Sequence, residues 1–406
     1  MTMTIETENR AGTMKERRYD IDWLRVLAIM MVFFFHNARF YDPYPWHVKN
    51  AEQSFGMFIF VALLHAWLMP LFFLLSGVGS WYALKSRTAG RYLRERVSRL
   101  LIPLYTVGVF ILLPPQLYWD RVTNGRFSGS FVEFYPSFFR DFHLDLLPPF
   151  VIPWSGHLWF LVFLFAISLF SLPLMIFLKS ESGKRLISTL AQWSERRGGI
   201  FLLLAPLFLV QACLRGFSQG DHTFADLVYY LICFLMGYVL PADERFTGSL
   251  KRYVWICLPL ALGSFWAEGY LVMGFGYQPL PGQGFSPLGS YLLFQLVMSV
   301  QTLCWIVFLV GMSAKYLNFR SKALEYCNEA VLPFYILHQT FILLVGWYVV
   351  RWSTAIFTKY LVISAISFAL IAATYELLIR RFNVMRFVFG MRLKKAKSVN
   401  SGRIQS

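Results

Sequence analysis

Apolar residues in this chain gather into long runs, and short polar stretches separate them. The runs fall at roughly 21–41, 66–84, 100–118, 157–178, 199–214, 224–241, 253–273, 289–312, 329–350 and 357–379. Most approach the roughly 20 apolar residues that carry a helix across a hydrocarbon core of ~30 Å. A bilayer core offers no water to unpaired backbone groups, so a run of this kind folds as a helix. The pattern predicts an all-α fold, a polytopic membrane helix bundle of about ten transmembrane helices. Residues 54–65 are also apolar and are expected at the interface ahead of the second span. Three parts follow: a polar N-terminal tail (1–20), a membrane domain (21–390) and a basic C-terminal tail (391–406).

Composition supports the same picture. Of 406 residues, 57% are hydrophobic and only 15% charged, against about a quarter charged in a soluble domain. The net charge of +16 raises the idea of a nucleic-acid partner, but the placement of the charges argues against it. With the N-terminus inside, 29 of the 38 Lys and Arg residues lie in tails and loops on the inner side, and 7 lie outside. A positive-inside bias sets topology, whereas a nucleic-acid binder concentrates its basic residues on a folded polar surface. Both termini are therefore expected in the cytoplasm. No apolar segment with a small-residue cleavage site precedes Asp20, so the first span is expected to direct insertion. The five cysteines form no CxxC pair and most lie within apolar runs, so neither a disulfide framework nor a metal site is legible.

The first span carries the most information. Between Arg25 and His36 every residue is apolar, and eleven residues make about three helical turns, or ~16 Å along the axis. Both polar side chains therefore share a face, Arg25 near the inner end and His36 deeper. Asp22 stands three residues before Arg25, close enough to pair with it. Arg25 as an interfacial snorkelling residue and His36 as a simple helix-to-helix hydrogen bond is the plain reading. The functional one is that His36 is a base, because imidazole accepts a proton near neutrality.

Four arginines, Arg91, Arg94, Arg96 and Arg99, precede the third span on its inner side. They serve either as a topology signal or as guanidinium forks for the phosphates of a cytoplasmic donor. At the outer end of span four stand His157 and Trp159, which suit either a helix start and an aromatic belt or a site. Span nine places Tyr335 and His338 on one face, and Glu376 lies near the inner end of span ten. Each of these belongs either to a satisfied polar network or to the chemistry, since ionisable groups inside a membrane are costly and mark function. His65, His143 and His222 have no legible partner.

Taken together these residues resemble the membrane acyltransferase family 3, whose members carry in the first span an Arg, ten residues and then a His. Here that is Arg25 and His36, preceded by Asp22-Trp23-Leu24. Similar features are Phe72-Phe73-Leu74-Leu75-Ser76-Gly77, Arg96-Val97-Ser98-Arg99 leading to Pro103, and His157-Leu158-Trp159-Phe160-Leu161. Trp46-His47-Val48 with Ala51-Glu52, the stretch from Asn328 to His338, and Tyr375-Glu376 are most similar to a group within the family that succinylates osmoregulated periplasmic glucans. Gln339 departs from that group, where a second histidine is expected. The resemblance covers roughly residues 20–390.

The resemblance implies a multi-pass protein of the bacterial cytoplasmic (inner) membrane, embedded in lipid. It implies an O-acyltransferase moving an acyl group from cytoplasmic acyl-CoA to hydroxyls of a glucan outside, with succinyl-CoA favoured over acetyl-CoA as co-substrate and no metal. His36 is then the catalytic residue with Arg25 associated, and Arg91, Arg94, Arg96 and Arg99 hold the donor's phosphates. Transfer proceeds either by direct attack of a deprotonated hydroxyl or through an acyl-histidine. The orienting partner of His36 is open, with Asp226, Glu268, Glu329 and Glu376 as acids that the fold could bring near. O-acetylation of another surface polysaccharide or lipid-linked glycan is a rival outcome. A transporter or flippase is the rival of a different class, and no inverted repeat is visible to favour it.

Overall fold

The computed structural model describes residues 18–140, 156–218, 222–274 and 288–394. Among the described residues the secondary structure is helical throughout, with no strand. Two tails and three internal segments lie outside them, and with them His143 and much of the tail charge.

The helices are α1 (Tyr19–Ala38), α2 (Phe55–His65), α3 (Leu68–Ser86), α4 (Ala89–Thr123), α5 (Phe131–Arg140) and α6 (Gly156–Phe170). There follow α7 (Leu172–Phe177), α8 (Glu181–Glu195), α9 (Gly199–Phe217), α10 (Phe224–Ala242) and α11 (Glu244–Gly274). The last are α12 (Leu288–Tyr316), α13 (Lys322–Val349), α14 (Ile356–Ile379) and α15 (Asn383–Val388). Among the described residues nine helical stretches are long and apolar enough to cross a membrane: α1, α2–α3, α4, α9, α10, α11, α12, α13 and α14. They match nine of the ten apolar runs. The fourth run is interrupted: α6 ends at Phe170 and the chain restarts as α7, with Pro173 in its first turn. Proline has no N–H for the preceding helix and suits a helix start. The apolar stretch before span two is a helix of its own, α2, which turns at Ala66–Trp67 into α3.

Close packing rests on small residues. A Cβ at Gly77 of α3 would lie 1.9 Å from the Phe234 carbonyl oxygen, and one at Gly237 of α10 would lie 1.9 Å from that of Leu74. The two helices thus touch backbone to backbone, the usual route to tight packing where lipid supplies no hydrophobic drive between helices. Near its outer end α1 is tied to α14: Asn37 Nδ2 donates to the Tyr360 carbonyl (2.9 Å) and to Ser364 Oγ. Its other face packs along α13. That pairing sets the site, because α1 carries His36 and α13 carries His338.

In α4, Pro103 separates two wide π-helical segments, Val97–Leu101 and Leu104–Leu112. Proline removes a backbone donor, and such widened turns recur at functional places in helices. Gly390, with φ of +67°, brings the chain after α15 against Arg99 and Pro103; a Cβ there would lie 2.8 Å from the Arg99 carbonyl oxygen.

Candidate active site

Three imidazoles from three helices converge. His338 Nε2 lies 3.2 Å from His36 Nδ1, with ring centroids 4.8 Å apart. His157 packs edge-on against His338 at 5.0 Å. His338 is fully buried and His157 nearly so, while His36 keeps partial exposure. The His36 ring therefore faces protein, with Trp46 at 6.4 Å on another side.

The carbonyls around these rings assign their protons. A carbonyl oxygen only accepts, so a ring nitrogen bonded to one carries hydrogen. His338 Nδ1 meets the Tyr335 carbonyl at 2.5 Å, which leaves its Nε2 as the acceptor in the neutral ring. His36 Nδ1 meets the Val32 carbonyl at 2.9 Å, so its N–H points both there and toward His338 Nε2. The lone pair of neutral His36 therefore sits on Nε2, and among the described residues no hydrogen bond occupies that atom. This is the tautomer a proton-accepting group needs, fixed by a partner on its other nitrogen. His157 donates from Nε2 to the Ile336 carbonyl (3.1 Å), and the Tyr335 hydroxyl donates to the His157 carbonyl. Tyr335 and His157 thus lock α6 to α13 around His338.

A line of uncharged polar groups leads from the histidines toward the outer loops. The Gln116 amide of α4 lies 3.4 Å from His157 Nδ1 and donates to Thr340 Oγ1 (2.7 Å). Gln339 donates to Gln116 Oε1 (3.1 Å) and reaches His47 Nε2 (3.1 Å). His47 Nδ1 in turn lies 3.6 Å from Asp120. His47 and Gln116 were missed by sequence reasoning about the site. A glutamine within an apolar run, after Pro114-Pro115, was the available signal, because a buried amide must find partners.

At the inner end, Arg25 donates to Asp22 and to Asn328 of α13, both at 3.1 Å. Arg96 donates to Ser80 Oγ (2.6 Å) and lies over the Tyr92 ring. Arg99 is exposed and lies within the electrostatic reach of Arg96, Arg392 and Arg25, with Glu95 opposing them. Arg94 is exposed, and Arg91 is exposed and pairs with Glu95 (3.6 Å). Arg96 is half-buried, whereas Arg91, Arg94 and Arg99 are exposed; what sets Arg99 apart from Arg91 and Arg94 is the cationic surrounding of Arg96, Arg392 and Arg25. Trp159 lies in an aromatic cluster with Phe73, Tyr230 and His222, its ring 4.1 Å from that of His222. Glu376 is ion-paired with Arg380 (2.9 Å).

The four acids considered as partners of His36 are engaged elsewhere. Asp226 pairs with Arg215, Glu268 accepts from Gln301, Glu329 pairs with Arg386 and Glu376 with Arg380. The Val32 carbonyl and His338 orient the ring instead. Among the described residues no group of three or more His, Cys, Asp or Glu side chains is placed to hold a metal ion.

A helix bundle with a buried, tautomer-fixed histidine cluster between a cationic inner end and a polar outer path is the architecture of an integral membrane group-transfer enzyme. The family model described as acyltransferase domain matches residues 18–376, and the chain belongs to this family of membrane acyltransferases, acyltransferase family 3. Similar curated proteins are named Glucans biosynthesis protein C, from Salmonella paratyphi A, Salmonella agona and Salmonella dublin. Each is 22% identical over 345 residues, covering 82% of this chain and 84% of the relative. No solved structure matches the chain.

Proposed function

We propose that this acyltransferase takes its acyl group, succinyl in preference to acetyl, from acyl-CoA on the cytoplasmic side of the bacterial inner membrane. The acceptor is a hydroxyl of a glucan on the outer side. The observation that carries the reading is the unoccupied Nε2 lone pair of His36, held between the arginine-rich inner end and the polar line to the outer loops. Arg96, Arg99 and Arg25 take the phosphates, to which guanidinium groups offer forked, charged donors. The pantetheine arm then runs along α1, where eleven residues span ~16 Å, and sets the thioester beside His36.

His36 Nε2 accepts the proton of the acceptor hydroxyl as its oxygen attacks the thioester carbonyl. The tetrahedral intermediate collapses with loss of the CoA thiolate, which takes up the proton. The His36 Nδ1–H keeps its bonds to the Val32 carbonyl and His338 throughout, so that positive charge on the ring is shared with its neighbours. The glucan assignment draws support from the name of the relatives, and the succinyl assignment from the residues shared with the succinylating group that the sequence resembles.

Purified protein supplied with labelled succinyl-CoA or acetyl-CoA and glucan tests the reading. Transfer of label to glucan is expected, with a loss of about 10²–10⁴-fold for His36→Ala at equal protein level, the range for a removed general base. Unchanged transfer in that variant rejects His36 as the base, and no transfer from either donor rejects the proposed donors.

A further inference from the structure

A cleft of about 980 Å³ opens between the first outer loop, the outer end of α4 and the turn joining α13 to α14. It lies on the side that the Lys and Arg distribution assigns to the outside. Its volume is near the upper end of the ~300–1,000 Å³ range of small-molecule sites, enough for a short oligomer rather than one small molecule. We infer that this cleft binds a neutral, hydroxyl-rich glycan chain, with Trp352 as its stacking platform and Glu52 as a hydrogen-bond acceptor for sugar hydroxyls.

The character of the lining carries the argument. Trp352 is 46% exposed on the wall, and the negative face of an indole suits the slightly positive C–H face of a pyranose ring. Glu52 is exposed, and its carboxylate takes no hydrogen bond or ion pair among the described residues. Ser353 and Thr354 add exposed hydroxyls beside Trp352.

Each cation of the cleft has at least one contact within the protein. Lys359 is buried and donates to Asn50 Oδ1 (2.8 Å) and to the Val350 carbonyl (3.0 Å). Lys49 donates to Asp42 and to the Arg39 carbonyl. The Arg351 guanidinium covers the Trp347 ring at 3.8 Å and donates to the Trp347 carbonyl. Arg351 keeps N–H groups to spare at the wall, opposite in charge to Glu52, so the lining combines donors, an acceptor and an indole face, a mixture that suits the hydroxyls and C–H faces of sugars.

Position supports the same occupant. Val48 of the cleft wall follows His47 in the chain and Val122 lies two residues after Asp120; His47 and Asp120 face each other at 3.6 Å at the outer end of the polar line to the histidines. Trp347 lies nine residues beyond His338 on α13, ~14 Å along the axis. A chain held in the cleft therefore has a route by which one of its hydroxyls reaches His36; this role as acceptor site rests on the proposed function, while binding itself does not.

Calorimetric titration of the detergent-solubilised full chain with glucose oligomers of increasing length tests the cleft, alongside acyl transfer to the same oligomers. Saturable binding that tightens with length is expected. Trp352→Ala should weaken it about tenfold or more, the loss of a good aromatic contact, and Ser353→Trp, which fills the cleft, should do so without removing the platform. The KM for the oligomer should rise in both variants while that for the acyl donor stays put, which separates the effect from misfolding. Absence of any oligomer binding, or wild-type binding in both variants, overturns the cleft. Transfer with an unchanged oligomer KM in both variants overturns the cleft and leaves the acyltransfer reading standing. Binding that depends on Trp352 without any acyl transfer to the oligomer upholds the cleft and rejects that reading.

Discussion

At the scale of single residues, His338 decides how far His36 can be trusted to hold one orientation. Its Nδ1 is committed to the Tyr335 carbonyl, so its Nε2 can only accept from His36 Nδ1–H while the ring is neutral. Replacing His338 by Leu removes that acceptor and leaves His36 with the Val32 carbonyl alone, and kcat should fall about tenfold or more, as when a bond that orients a reacting imidazole is lost. His338→Gln restores an acceptor and should recover much of the loss, and the KM for the acyl donor should stay near wild type in both. Equal loss in the two variants would assign His338 to packing. The sequence made His36, His157, Tyr335 and His338 visible one at a time, because each is a costly polar group in an apolar run. Their convergence was not legible: helical spacing relates residues within one helix, and these rings come from α1, α6 and α13. The departure at Gln339 was legible and its meaning was not. The side chain joins Gln116 to His47, contacts that no local pattern announces.

The elements show a similar division between what periodicity reveals and what packing decides. Run length predicted about ten spans, nine of which match long apolar helical stretches among the described residues, and the break between α6 and α7 turns on Pro173, which a hydropathy average conceals. The Phe-Phe-Leu-Leu-Ser-Gly stretch of α3 gains its meaning from Gly77 and Gly237, which let two backbones touch. A side chain at Gly237 would meet backbone atoms of Leu74 that cannot rotate away. Gly237→Val should therefore destabilise the solubilised protein by about 1–3 kcal/mol or more, the cost of overpacking a close contact, read as a lower thermal midpoint. Gly263, with open space around its Cβ position, serves as the control, and Gly263→Ala should leave the midpoint close to wild type. In α4 the arginine run looked uniform in sequence, yet Arg99 lies among the charges of Arg96, Arg392 and Arg25, while Arg91 pairs with Glu95 and Arg94 is exposed. Arg99→Ala is expected to raise the KM for acyl-CoA about tenfold, the scale of one charge-assisted hydrogen bond, and Arg94→Ala to leave it nearly unchanged. Equal behaviour of the two would return the whole cluster to topology.

Over the whole molecule the polar groups form a graded series. Guanidinium groups stand at the inner end, imidazoles lie within the bundle, and amides, a histidine–aspartate pair and a hydroxyl-lined cleft lie toward the outside. That order matters because a bilayer core admits neither CoA nor glucan freely: charged and hydroxyl-rich groups both carry a desolvation cost there. An enzyme joining the two, as we propose for this one, has to let each partner keep to its own aqueous side while their reacting atoms meet at a protein-lined point. A transporter working by alternating access would instead bind one substrate at mid-depth and release it unaltered. Sidedness separates the two mechanisms. In sealed inverted vesicles loaded with glucan, labelled acyl-CoA added to the medium meets the arginine face and should acylate the glucan inside. In right-side-out vesicles the same addition should leave external glucan unmodified until the membrane is permeabilised. If intact right-side-out vesicles acylate external glucan from external donor, the two substrates share the outer route, the inner arginines have no part in donor binding, and the transmembrane passage along α1 is wrong.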